Sequence, residues 1–112
     1  MESKRQQKIA RLLQKELGEI MRIYASEHLH GYLITVTKVN ISPDLSLART
    51  YLSLFGPAKR EDVFERIQNS TKEIRHQLAL RTGKQMRIVP ELAFYVDDSL
   101  DYIENIDNLL KS

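Results

Sequence analysis

The run YLITVTKVNISPDLSLARTYLSLF, Tyr32 to Phe55, holds two stretches that favour extended backbone, with one turn between them. Tyr32 to Ser42 is dense in β-branched residues, whose two heavy atoms on Cβ suit a pleated surface. Pro43-Asp44 then interrupts the pattern. Proline pre-sets φ for the second position of a tight turn, and an aspartate side chain bonds its own backbone there. In the returning stretch, Leu45 to Phe55, Ala48, Thr50, Leu52 and Leu54 share one face while Arg49, Tyr51 and Ser53 share the other. A period of two with one apolar face marks a half-buried sheet, so these residues read as a β-hairpin.

An apolar sheet face needs cover, and the flanking segments supply it. Lys4 to about Tyr24 places Ile9, Leu12, Leu13, Leu17, Ile20, Met21 and Tyr24 at three- and four-residue intervals, which predicts an amphipathic helix ending before Gly31. Beyond the hairpin, Gly56-Pro57 closes the unit and Ala58 to about Arg81 predicts a second helix. Phe64, Ile67, Thr71, Ile74 and Leu78 lie on one of its faces, and Glu61 and Asp62 occupy its first turn, where the helix dipole favours acids. Gly83 is the expected terminator. Met86 to Val96 reads as a third strand with Ile88, Leu92, Phe94 and Val96 facing one way. Pro90 lacks an N–H and so restricts that strand to a sheet edge or a bulge. Asp97-Asp98-Ser99 is expected to cap a short last helix, Leu100 to about Leu110. The order α-β-β-α-β plus a short C-terminal helix describes an α+β domain, a three-stranded sheet packed by helices, with residues 1–112 as a single unit.

The net charge of +2 conceals a reversal at Pro90. From Arg66 to Pro90 six bases (Arg66, Lys72, Arg75, Arg81, Lys84, Arg87) face one acid, Glu73, and from Glu91 to Ser112 six acids (Glu91, Asp97, Asp98, Asp101, Glu104, Asp107) face one base, Lys111. A field so divided suits a surface that meets a polyanion, with an acidic element kept to one side. A second basic feature lies in the first helix. Lys4, Lys8, Arg11, Lys15 and Arg22 follow helical periodicity and form a ridge nearly opposite the apolar stripe, with Glu16 and Glu19 off it and Lys15–Glu19 pairing able to mute its middle.

Several function classes lack the residues they need. Without cysteine there is no disulfide framework, thiolate metal site or cysteine nucleophile. His28, His30 and His76 have no metal-ligand spacing, and Asp97, Asp98, Asp101 and Glu104 are read as helix-capping acids rather than a magnesium site. Gly83-Lys84 has no upstream glycine at phosphate-loop spacing and has Gln85 where that loop needs Ser or Thr. No nucleophile is accompanied by a base, so the expectation is a non-enzyme without cofactor. No apolar run reaches membrane or signal-peptide length, which predicts a soluble, unprocessed, cytoplasmic protein.

Val36-Thr37-Lys38-Val39-Asn40-Ile41-Ser42-Pro43-Asp44-Leu45-Ser46-Leu47-Ala48, then Arg87-Ile88-Val89-Pro90-Glu91-Leu92 and Asp97-Asp98-Ser99, closely resemble the ribosome-binding factor A family. Arg5-Gln6-Gln7-Lys8-Ile9-Ala10 and Ile74-Arg75 carry the resemblance over nearly the whole chain. It implies a type II KH-like fold and a factor for small (30S) subunit biogenesis that acts on free immature subunits during late 16S rRNA maturation, often linked to cold adaptation. Its partners would be the small subunit and its 16S rRNA, met by a monomer, with assembly GTPases or ribosomal proteins as further partners and no membrane. Where relatives typically carry an Ala-x-Gly kink in the second helix, this chain has Ser70-Thr71-Lys72, and serine can bend a helix by bonding back to a carbonyl.

Lacking the Gly-x-x-Gly clamp of ordinary KH domains, the protein is expected to recognise RNA through phosphates and shape. The candidate contacts are Lys4, Lys8, Arg11, Lys15 and Arg22 on the ridge and Lys72, Arg75, Arg81, Lys84 and Arg87 in the second cluster. A solvated helix face is the ordinary alternative for each group. Arg49 is a weaker candidate, because cross-strand pairing is an equal use for it, and Tyr95 and Tyr102 are read as packing between the third strand and the last helix rather than as base-stacking platforms. A protein-binding adaptor working through its sheet face or acidic last helix is the competing reading.

Overall fold

The computed structural model describes residues 3–97. The chain order is α1 (Lys4–His28), β1 (Leu33–Ile41), β2 (Leu47–Phe55), α2 (Arg60–Asn69), α3 (Thr71–Thr82) and β3 (Glu91–Val96). This is the expected α+β, type II KH-like architecture, with one helix more than expected among the described residues. The proposed last helix, Leu100 to Leu110, lies outside them.

The sheet runs β1-β2-β3, antiparallel between β1 and β2 and parallel between β2 and β3. Parallel neighbours cannot be joined by a tight turn, and α2 and α3 form the crossover. All three helices cover one face, where Ile34, Val36, Val39, Ile41, Leu52, Leu54, Leu92 and Phe94 meet Leu13, Leu17, Ile20, Met21, Val63, Ile67, Ile74 and Leu78 in one buried core. The inward residues of β1 change phase between Val36 and Val39 because Thr37 is an extra residue in the register, a bulge. Gln14 of α1 donates to the carbonyls of Val36 and Thr37, so the irregular backbone does not go unsatisfied.

Local chemistry sets the ends of α1. Ser3 and Gln6 form a reciprocal capping box at its start, and the Gln6 amide also donates to Ile41 O of β1 at 2.9 Å. The helix runs past Tyr24 to His28, since Ala25 is still core-facing, and Gly31 then turns the chain at φ 77°. Gly56 is needed for close approach: a Cβ there would stand 2.2 Å from the Tyr32 ring, whose hydroxyl donates to Ala58 O.

Two expected elements are corrected. The continuous helix from Ala58 to Arg81 is two helices broken at Ser70, which has φ −99° and ψ 9°. There the Thr71 hydroxyl bonds back to Gln68 O at 2.7 Å, and Tyr24 of α1 bridges Ser70 Oγ (3.0 Å) and Arg66 O (3.3 Å). Hydroxyls do at this break what a glycine does by flexibility. The third strand begins at Glu91, not Met86, so Pro90 stands at its entrance rather than within the ladder. Ile88 is consequently 76% exposed instead of core-facing. Among the described residues β3 pairs with β2 alone, and so does occupy the edge position that the proline argued for.

Candidate nucleic-acid interface

Tyr24 of α1 touches Ser70 and Glu16 touches Arg81, so α1 and α3 run antiparallel, side by side. The basic face of α1 therefore continues, at its N-terminal end, into the loop that leaves α3. Lys4, Lys8, Arg11, Lys15, Lys84 and Arg87 are all exposed, and none has an ion pair or side-chain hydrogen bond among the described residues. Lys8 and Arg87 line the same open cleft, of about 880 Å³, together with Arg5. Arg5 sits about 100° round the helix from Lys4 and was not part of the predicted ridge. Its only sequence signal was its place in the Arg5-Gln6-Gln7-Lys8 string.

The other predicted bases are occupied or apart. Arg75 donates from Nε to Pro90 O (3.1 Å) and from a terminal nitrogen to Val89 O (2.7 Å), fastening α3 to the entrance of β3. Arg81 pairs with Glu16 across the two helices at 3.2 Å. Glu19, which could have paired with Lys15, pairs instead with Arg22, so the middle of the ridge is not muted in that way. The Arg22 bond and charge hold the Glu19 carboxyl below the usual carboxylate range, and the guanidinium is raised in return. Lys72 is exposed at the start of α3, the end of that helix remote from the cleft.

The β1–β2 turn contributes Asp44, Leu45 and Ser46 to the wall of the same cleft. Asp44 Oδ1 accepts from Ser42 Oγ and Ser46 Oγ, both at 2.7 Å, and from Ser46 N–H at 3.1 Å. Those bonds, from Ser42 first, lower its pKa from 3.8 to about 2. Leu45, beside it, has φ 64°, a left-handed backbone that leucine rarely adopts.

The sheet face away from the three described helices carries different chemistry. Tyr95 stacks on Tyr51 with ring centroids 5.3 Å apart, and Lys38 Nζ stands 5.8 Å over the Tyr51 ring. The stacking partner of Tyr95 among the described residues is thus β2. Leu33 and Phe55 face each other across β1 and β2 and are 58% and 60% exposed. Arg49 is exposed on this face between Asn40 and Ala93.

The family model for ribosome-binding factor A matches residues 5–110. Curated relatives named ribosome-binding factor A include one from Christiangramia forsetii, 43% identical over 98% of this chain and 85% of its own. Another, from Flavobacterium psychrophilum, is 44% identical with the same coverage. The crystal structure of ribosome-binding factor A from Thermus thermophilus superposes with a TM-score of 0.66 at 25% identity, covering 81% of this chain and 94% of that one. A Thermus thermophilus homology model fitted into a cryo-EM map of a 30S complex gives 0.65 at 27% identity, over 80% and 91% of the two chains. Matched in sequence over nearly its full length and in fold, this chain belongs to the ribosome-binding factor A family.

Proposed function

We propose that this protein is an RNA-binding assembly factor that docks on free, immature small ribosomal subunits and assists late 16S rRNA maturation without itself catalysing a step. The observation that carries the reading is the uncompensated cation surface at one end of the domain: Lys4, Lys8, Arg11 and Lys15 from α1, joined by Lys84 and Arg87 from the α3–β3 loop. Such charges displace condensed counterions from phosphates, which makes binding steeply dependent on salt and only weakly dependent on sequence. The family relationship and the 30S complex of the Thermus thermophilus protein support the choice of polyanion. The combined Lys8→Glu, Arg11→Glu and Lys15→Glu variant tests it by co-sedimentation with purified small subunits at low salt. Loss of pelleting is expected; wild-type pelleting by the variant overturns the assignment of the ridge.

A protein-binding adaptor is the second reading, favoured by the exposed Leu33–Phe55 pair on the same sheet face as the Tyr51–Tyr95 stack. Its contact would be apolar, so salt distinguishes the two: RNA docking weakens steeply as salt rises, and an apolar protein contact does not.

A further inference from the structure

The cleft between the start of α1, the β1–β2 turn and the α3–β3 loop is not uniformly basic. Ile9, Leu12, Leu45 and Met86 line it as half-buried side chains, an apolar floor of which Ile9, Leu45 and Met86 also pack against the core, whereas the lining cations Arg5, Lys8 and Arg87 are exposed at its edge. Phosphate alone needs no such floor, because a surface that reads only backbone charge gains nothing from exposed hydrocarbon. At about 880 Å³ the cleft falls within the size range of small-molecule pockets. Two of its lining residues stand out. Leu45 is held in a left-handed backbone, where glycine or asparagine is the ordinary choice, and so keeps a bulky apolar side chain in this wall. Ile88, 76% exposed, extends the apolar surface beside Arg87.

Resting on the RNA-binding reading above, we propose that this cleft takes one unstacked nucleotide of single-stranded RNA, its base on the apolar floor and its phosphates on Arg5, Lys8 and Arg87. Extruded bases are characteristically held against apolar or aromatic side chains and read through their polar edges. Asp44 fixes the orientation. Its carboxylate repels phosphate from the turn wall, leaving the cation edge for the backbone and the interior for the base, and it is the acidic group among the lining residues able to accept from an exocyclic amino group. The guanidinium of Arg87 offers a flat surface for stacking besides its charge. A duplex keeps its bases paired inside and can use only the cation edge.

The test compares a short single-stranded RNA carrying one 2-aminopurine with a blunt duplex of the same length, at matched salt, on the full chain. The single strand is expected to bind about tenfold more tightly, with 2-aminopurine emission changing as the base leaves its neighbours. Leu45→Gly suits the left-handed backbone and removes that side chain, at the cost of its packing against the core, whereas Ile88→Ser changes a solvent-exposed residue and leaves the fold untouched. Each is expected to lose most of the single-strand preference while keeping duplex affinity and salt slope. Equal affinity of the wild type for the two RNAs, or a preference untouched in both variants, overturns the nucleotide cleft and leaves the phosphate surface standing. Failure of the wild type to bind either RNA at low salt overturns both.

Discussion

Two groups of basic residues lie along the same pair of antiparallel helices and differ in the partners their side chains have. Toward the start of α1 and the exit of α3, Lys4, Lys8, Arg11, Lys15, Lys84 and Arg87 stand free of ion partners among the described residues. Along the middle of the pair and at the entrance to β3, Arg22, Arg75 and Arg81 are held by Glu19, by the Val89 and Pro90 carbonyls and by Glu16. By sequence the two groups are not separable, since ridge and second cluster each contribute members to both. The difference teaches that charge density nominates a surface, while the local supply of acceptors determines which charges remain available to a ligand.

Breaking that contrast from its free side should have the largest effect. Replacing Lys8, Arg11 and Lys15 with Glu is expected to lower affinity for small subunits about a hundredfold at low salt, and the slope of log affinity against log salt by about one for each lost contact. Thermal unfolding of the same variant should stay within a few degrees of wild type, because no intramolecular bond is removed. From the employed side, Arg75→Ala should reverse the pattern. It leaves two carbonyls beside the buried Pro90 without their charged donor, and a loss of about 1.5 to 3 kcal/mol in denaturant unfolding is expected. RNA affinity per folded molecule should change less than threefold. If Arg75→Ala instead weakens RNA binding as strongly as the triple variant without destabilising the fold, the division between the two groups fails.

How much of this was legible depends on the sequence distance over which each interaction closes. The hairpin was legible because alternation and a Pro-Asp turn act within a few residues, and Asp44 caps Ser46 as that chemistry requires. The stripe of α1 was legible for the same reason. Strand three was drawn too long because Ile88-Val89-Pro90 has β-forming composition, whereas Arg75, some fifteen residues earlier, takes the Val89 and Pro90 carbonyls that a ladder would have used. The break at Ser70 depends on a hydroxyl from Tyr24, 46 residues away. The candidate site shows the same limit. The free cations of α1 were found by periodicity, but the Arg81–Glu16 pair spans 65 residues, and Arg5 joins the site only because the β1–β2 turn folds back beside it.

A smaller effect probes the weakest of the employed contacts. Arg81 and Glu16 form a partly exposed pair, and such pairs contribute about 0.2 to 1 kcal/mol. Arg81→Gln should therefore cost little stability. It also leaves Glu16 without its cation next to Lys15, adding uncompensated negative charge at the border of the free group, and a loss of RNA affinity of about two- to threefold at low salt that disappears at high salt is expected. An unchanged low-salt affinity would show that the border lies farther from the ligand than the antiparallel packing places it.

The smallest expected effect concerns the acid inside the cationic cleft. Asp44 lines the same cleft as Arg5, Lys8 and Arg87, yet hydrogen bonds from Ser42 and Ser46 are what bring its pKa down to about 2. If the cations were consumed by this carboxylate, neutralising them would raise its pKa; if they are free, it should hardly move. Carboxyl titration by NMR on the Lys8→Gln, Arg87→Gln variant should find Asp44 near its wild-type value, while Ser42→Ala with Ser46→Ala should bring it back toward 3.8. The sign of the linked stability follows. A carboxyl that titrates near 3.8 unfolded and about 2 folded contributes stability above pH 3.8, and that contribution is lost as pH falls through the folded value. The gap in stability between wild type and the double serine variant should accordingly persist at neutral pH and narrow between pH 3.8 and 2, the signature of a turn held by its own hydroxyls with the neighbouring cations left for a ligand.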